Sequence, residues 1–369
     1  MKNPAVSFVV PCYKLAHLLP ECINSILTQS FRDFEVLIMD DCSPDNTADV
    51  ARSFRDSRVK HIRNDPNLGH LRNYNKGISL VDGKYVWLIS ADDYLLRDYI
   101  LEKYVHLLDG HPEVGYAFCP GEGVGSGVAT ELKGWVSDVQ SIHGKRDRII
   151  KGHVLLKELV RGNTIVAASG LVRRECYEKV SLFPLNMPWA GDWYLWCLFA
   201  MHYDVGYFAE PMVGYREHEL SMTNKLWNEN VGGCCDEDVA IPWAIKRKAD
   251  ALGFDDISKA CLEAVAEIYA KSVVTKRYRM ARPALDLEQV ENSLRSNCIS
   301  EGERNWIRAR VFAGMANKFF WQGERLLAKQ FYGDSLKMDP WMMKIYGKRL
   351  LLSLGWPGEF IWKLLKAQM

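Results

Sequence analysis

An α/β domain built on a mainly parallel sheet flanked by helices, followed by an all-α domain, is the fold class that this 369-residue chain predicts. Three observations carry it. Short apolar runs alternate with segments of helical period through the first third of the chain. Several of those runs end in prolines or acidic residues. From about residue 236 the pattern is helical throughout. Strands separated by helices of this length need right-handed crossovers, and so a mainly parallel sheet. Hydrophobic residues make up 48% and charged residues 25%, a globular balance that excludes disorder, collagen and coiled coil as whole-chain readings. Lys+Arg total 47 against 46 Asp+Glu, so the net charge of +1 gives no basic surplus for nucleic acid.

The elements follow in order. Ala5–Val10 is an apolar run that stops at Pro11. Leu18–Gln29 carries apolar residues at 18, 19, 22, 23, 26 and 27, a helical period. Phe34–Met39 is a second strand ending in Asp40-Asp41, and Asp45 or Asn46 caps a helix to about Arg55. Val59–Ile62 is a third strand, Leu68–Leu80 a helix, and Tyr85–Ile89 a fourth strand ending in Ser90-Ala91-Asp92-Asp93. Arg97–Leu108 is helical and Val114–Phe118 is a fifth strand. Residues 119–150, with Gly121, Gly123, Gly125 and Gly127, read as one mobile loop, because no helix follows promptly to make a phosphate cradle. Helices are expected near 152–160 and 191–202, and strands near 165–172, 204–209 and 213–215. Within the helical part, Ala316, Phe319, Gly323, Ala328, Tyr332, Ser335 and Pro340 fall at the offsets of a 34-residue helical hairpin, similar to one tetratricopeptide repeat.

Ten cysteines include no C-x-x-C pair, and most sit in apolar stretches, as reduced buried thiols do. No signal peptide opens the sequence, and no run approaches the length of a membrane span. Those features predict a cytoplasmic protein.

Acidic residues are unevenly placed. Asp40-Asp41 and Asp92-Asp93 stand at two strand ends of one α/β unit, where like charges repel unless a divalent cation or several hydrogen-bond donors arrive. Ligands of parallel sheets gather at those ends. A nucleotidyltransferase would open with a Gly-rich loop and a basic residue, and Val10-Pro11-Cys12-Tyr13 has neither.

Several blocks then occur in a fixed order: Val9-Val10-Pro11-Cys12-Tyr13-Lys14, Ser25–Phe31, Glu35–Thr47, Asn67-Leu68-Gly69, Asn75-Lys76-Gly77-Ile78 and Gly83–Asp93. They resemble the nucleotide-sugar domain of family 2 glycosyltransferases. A second set, Gly191-Asp192-Trp193 and Glu210–His218, resembles the acceptor half of the same family. The resemblance spans residues 5–223. It implies a GT-A fold and inverting transfer of a sugar from a UDP- or dTDP-sugar to a hydroxyl of a saccharide or lipid-linked acceptor, in a setting such as bacterial surface polysaccharide synthesis.

The same resemblance implies roles. Pro11 and Tyr13 would line the base pocket, Asp41 would accept from the base imide N–H, and Asp92 would bond ribose hydroxyls. Asp93 would bind a divalent ion, Mn²⁺ or Mg²⁺, with His218 as a further ligand or a phosphate contact. Arg72 would reach phosphate, and Arg216 would offset leaving-group charge. Asp192, opening the helix after Gly191, would be the general base, held anionic by the helix N-terminus. The expected boundaries are 1–225 for the transferase domain (1–120 nucleotide-sugar half, 121–225 acceptor half) and 226–369 for the helical domain. That helical domain is expected to make peripheral membrane contact at the inner face or an oligomer contact. Its last segment mixes Trp341, Leu350, Trp356, Phe360 and Trp362 with lysines, as a surface helix does, with Trp341 and Leu350 expected to pack inward.

Overall fold

The computed structural model describes residues 3–124, 139–218, 221–274, 285–298 and 300–353. The chain divides into two compact units, Met1–Asn230 and Val231–Met369.

The first unit is built on an eight-stranded sheet ordered β3-β2-β1-β4-β9-β6-β10-β8. Its strands are β1 (Val6–Cys12), β2 (Phe34–Asp40), β3 (Val59–Arg63), β4 (Tyr85–Leu88), β6 (Val114–Phe118), β8 (Arg148–Ile150), β9 (Leu171–Arg173) and β10 (Asp204–Tyr207). The four strands β3, β2, β1 and β4 run parallel, as right-handed crossovers demand. Every residue of β1 is buried, which is why Val-Ser-Phe-Val-Val-Pro-Cys shows no alternation. Phe8 on β1 stacks on Trp87 of β4 (centroids 5.4 Å) and meets Phe34 of β2 edge-on (5.7 Å). Trp87 satisfies its indole N–H on the Ala168 carbonyl at 2.8 Å. Helices α1 (Leu19–Leu27), α2 (Thr47–Ser53), α3 (His70–Leu80) and α4 (Ile100–Gly110) make the crossovers. Gly77 lets α3 approach the sheet: a Cβ there would stand 2.5 Å from Val9 Cγ1 and 3.0 Å from Met39 Cγ.

The segment expected as one mobile loop is structured where it is described. β7 (Gly121–Val124) pairs in parallel with β11 (Val213–Arg216), and β8 pairs antiparallel with β10. β11 also pairs with the two-residue β5 (Tyr94–Leu95), closing a second, three-stranded sheet β5-β11-β7. Gly121 leaves room for Val166, since a Cβ there would sit 2.7 Å from Val166 Cγ2. Residues 125–138, with Gly125 and Gly127, lie outside the described residues. The strand expected near 165–172 is a 3-10 turn (Ala167–Ser169) followed by β9, and a helix, Arg174–Val180, follows where none was expected.

The second unit is helical in every described element: Val231–Leu252, Asp255–Val274, Leu287–Asn297, Glu301–Trp321, Arg325–Met338 and Met343–Ser353. Glu301–Trp321 and Arg325–Met338 form the expected hairpin. Small Ala316 and Ala328 are buried in it, Phe319 stacks on Phe331 (5.5 Å), and Ser335 Oγ donates to the Ala309 carbonyl at 2.7 Å. Trp341 and Leu350 do not pack inward; they are 86% and 63% exposed. Ile345 takes the buried position of its helix, and Leu350, five residues on, points roughly 140° away. The rest of the expected surface segment, 354–369, lies outside the described residues. No described helix is long and apolar enough to cross a membrane. All ten cysteines are free thiols.

Candidate active site

The carboxyl ends of β1 and β2 form the first part of the site. Lys14 and Cys42, just past them, both hold a left-handed backbone (φ 60° and 59°), which turns the chain sharply away from the sheet. Asp40 is fully buried beneath. It accepts from Arg63 (2.7 Å), from His61 Nε2 (3.4 Å) and from the Ser43 amide (2.8 Å), so it anchors the loop.

Asp41, one residue on, organises the β3–α3 loop. Its Oδ1 accepts from Asn64 Nδ2 (2.9 Å) and the Leu68 amide (2.8 Å), and its Oδ2 accepts from the Gly69 amide (2.9 Å). Asn64 is fixed in turn by Asn73 and Lys76. A carboxylate oxygen offers two lone pairs, so one acceptor position remains on Oδ2. Pro11 is buried, and its carbonyl accepts from the Ala91 amide at 3.1 Å, tying β1 to the Asp92-Asp93 turn. Tyr13 is 41% exposed, with Lys14 Nζ 5.2 Å from its ring centre. Arg72 is exposed on the first turn of α3.

The turn after β4 holds Asp92 and Asp93, both buried. His218 Nε2 lies 2.9 Å from Asp92 Oδ2. Among the described residues, the buried Asp92 Oδ1 has no hydrogen-bond partner. Asp93 Oδ1 accepts from the Arg216 amide (3.0 Å). The Arg216 guanidinium bonds the Asp92 carbonyl (3.1 Å) and Glu21 (2.7 Å) and rests over the Tyr94 ring (5.3 Å). Arg216 therefore clamps the turn, and Glu21 on α1 holds the clamp. Burial, and then the charge of Asp92, push the Asp93 carboxyl well above the usual range. An orphaned carboxylate oxygen beside a second buried carboxyl fits a hard divalent cation. Among the described residues no three His, Cys, Asp or Glu side chains are arranged to hold an ion alone, so phosphate and water oxygens would complete its shell.

Asp192 lies in the first turn of the helix Gly191–His202. Its Oδ1 accepts from the Trp193 amide (2.7 Å) and its Oδ2 from Asn163 Nδ2 (3.3 Å). Burial raises its pKa to about 6, against the lowering effect of those two bonds. The segment leading to it is fastened to α3. Asn75 exchanges two hydrogen bonds with the Phe183 backbone, both 2.9 Å, and His70 Nε2 lies 3.0 Å from the Pro188 carbonyl.

The sequence pattern described as "Glycosyl transferase family 2" matches residues 7–154. The chain therefore carries a family 2 glycosyltransferase domain. The matched span includes Pro11, Tyr13, Asp41, Arg72, Asp92 and Asp93. An uncharacterized glycosyltransferase of Rickettsia typhi is 24% identical over 288 residues, 77% of this chain and 86% of that protein. One of Haemophilus influenzae is 25% identical over 240 residues, 62% of this chain and 70% of its own length. The crystal structure of S. aureus TarS 1-349 in complex with UDP-GlcNAc superposes with a TM-score of 0.60 at 18% identity, covering 89% of this chain and 88% of that one. That likeness shows the fold: a GT-A domain followed by a helical part.

Within this glycosyltransferase, Asn64, Asn163 and Glu21 were not singled out by sequence. Each acts by holding a carboxylate or the clamp from a distant segment, 23, 29 and 195 residues away. Asn163, in Gly162-Asn163-Thr164, and Asn64, in Asn64-Asp65-Pro66-Asn67, carry a local turn signal, and Glu21 carries none.

Proposed function

We propose that this glycosyltransferase moves a sugar, with inversion, from a UDP- or dTDP-sugar to a hydroxyl of a saccharide or lipid-linked acceptor. The setting we propose is assembly of surface polysaccharide or glycoconjugate at the cytoplasmic face of the membrane. The observation that carries the reading is Asp192: a carboxylate at a helix N-terminus with a pKa of about 6. It is ionised at neutral pH yet more basic than an ordinary aspartate, as a base that takes a hydroxyl proton should be.

In this reading Asp41 uses its one open Oδ2 position to accept the imide N–H of uracil or thymine, and Tyr13 stacks on the base above Pro11. Asp92 bonds the ribose, with His218 orienting its carboxylate. Arg72 reaches phosphate from α3. Asp93, with Asp92, would hold Mg²⁺ or Mn²⁺, which when bound neutralises the diphosphate leaving group. Arg216 keeps that turn in place. The helical unit brings the enzyme to its acceptor, a membrane surface or another copy.

Nucleotide release from a panel of UDP-, dTDP- and GDP-sugars, run with Mn²⁺ and with EDTA, tests this. UDP-GlcNAc comes first, because TarS was crystallised with it. Release from uridine or thymidine donors, lost in EDTA, is expected. Turnover of GDP-sugars alone would overturn the assignment of Asp41, and full activity in EDTA would overturn that of Asp93.

A further inference from the structure

α3 carries a third side chain that neither the base loop nor the metal pair uses. Tyr74 lies between Asn73, which bonds the Met39 carbonyl, and Asn75, which bonds Phe183. Those two neighbours fix the helix against the sheet on one side and against the segment leading to Asp192 on the other. The Tyr74 ring is held edge-on by His70, one turn earlier (centroids 5.5 Å), and by Phe183 (5.5 Å). Its hydroxyl makes no hydrogen bond among the described residues, unlike that of Tyr215, which lies 3.1 Å from Thr223 Oγ1.

The carboxylates of Asp92, Asp192 and Asp93 all act on the Tyr74 hydroxyl electrostatically. Burial and those charges push the phenol's pKa up, so it stays neutral and can both donate and accept. In sugar transfer the anomeric carbon is bonded to the diphosphate and attacked by the acceptor oxygen. α3 begins just after the Gly69 amide that meets Asp41 and packs Tyr74 on Phe183, in the segment leading to Asp192, so Tyr74 stands between the nucleotide loop and the base, where the transferred sugar must lie.

We infer that Tyr74 is a specificity-determining residue: its hydroxyl, presented by a ring clamped between His70 and Phe183, hydrogen-bonds a hydroxyl of the transferred sugar. This rests on the nucleotide-sugar reading of the site. The clamp removes the rotational freedom a tyrosine would otherwise lose on binding, so the contact is preorganised. A site that keeps a polar group for one substrate hydroxyl rejects sugars that lack it more strongly than it rejects sugars that are merely a different size.

Tyr74→Phe keeps the clamped ring and removes only the hydroxyl. Calorimetry with UDP, UDP-GlcNAc and UDP-glucose on wild type and variant, with melting curves as a check on folding, separates the outcomes. UDP affinity should change less than twofold. Affinity for whichever UDP-sugar binds wild type should fall about tenfold, with sugar transfer falling at least as much. Equal loss of UDP affinity would place the hydroxyl on the diphosphate and overturn the inference. Unchanged affinity and turnover would leave Tyr74 as packing and overturn it too. Failure of wild type to bind UDP or either sugar nucleotide would reject the underlying reading instead, whatever Tyr74→Phe does.

Discussion

Asp192 shows how the base proposed for this reaction costs its own fold something. Its folded pKa of about 6 lies above the ordinary aspartate value, so the folded protein binds the proton more tightly than the unfolded chain does. The sign follows: stability falls as pH rises from about 4 to about 6, and the ionised form that the proposed base role needs is the one that burial disfavours. Asp192→Asn removes that burden while still accepting from the Trp193 amide. It should leave the melting temperature at pH 7 equal or higher and reduce sugar transfer by at least a hundredfold. In wild type, kcat/KM should fall as pH drops through about 6. A wild-type profile flat from pH 5 to 8, or near-normal transfer by the variant, removes Asp192 from the mechanism.

Asp41 presents the opposite case, a carboxylate whose structural duty overlaps the binding role proposed for it. Asp41→Ala would strand the Leu68 and Gly69 amides and Asn64, costing about 2 kcal/mol or more and confusing binding with folding. Asp41→Asn is the sharper change. Its amide turns a donor toward the Gly69 amide or the incoming imide, both donors themselves. UDP affinity measured by calorimetry should drop at least tenfold; unchanged affinity would mean the base lies elsewhere.

Among the elements, α3 holds the most of the site together. Its N-terminal end receives the Asp41 loop, its Asn73 and Asn75 tie sheet to base segment, and Gly77 sets how closely it lies on β1. Gly77→Val places a branched side chain where even a Cβ meets Val9 at 2.5 Å, and Val9 sits on a central strand that cannot yield. Overpacking of this kind costs about 1–3 kcal/mol, seen as a lower urea midpoint, and shifting α3 should weaken UDP binding alongside. A variant as stable as wild type would show that α3 has room to tilt. The element pattern of the first 120 residues was readable because strand and helix periods there are clean: the expected β1, β2, β3, β4 and β6 each fall within two residues of the observed bounds at either end. β5, β7 and β8 were not readable. With two to four residues each, they have no period to detect and exist only because β10 and β11 offer them edges.

In the molecule as a whole, each unit has its own hydrophobic core. One is built around Phe8, Trp87 and Tyr104, and others around Trp243, Tyr269 and Ile307 and around Ala316, Ala328 and Tyr332. Every candidate site residue precedes position 219. A chain ending at Asn230 should therefore fold and bind UDP with an affinity within about threefold of the full protein, tested by calorimetry and melting. Loss of binding by a folded 1–230 chain would show that the helical unit completes the site.

Local chemistry was enough to place Asp41, Asp92 and Asp93 at strand ends and Asp192 at a helix start, because a strand stops where its apolar run meets charge and a helix starts where its N–H groups find an acceptor. The ordered blocks around them carried the family resemblance. What those carboxylates touch was not local. His218 reaches Asp92 across 126 residues and Glu21 reaches Arg216 across 195, while Tyr74 comes under the influence of Asp92, Asp93 and Asp192 together. Such pairings depend on which crossovers bring which loop to the sheet edge, and burial then sets the charge state. The sequence lists the titratable groups, but the desolvation that raises Asp93 and Asp192 exists only once the surrounding chain has excluded water.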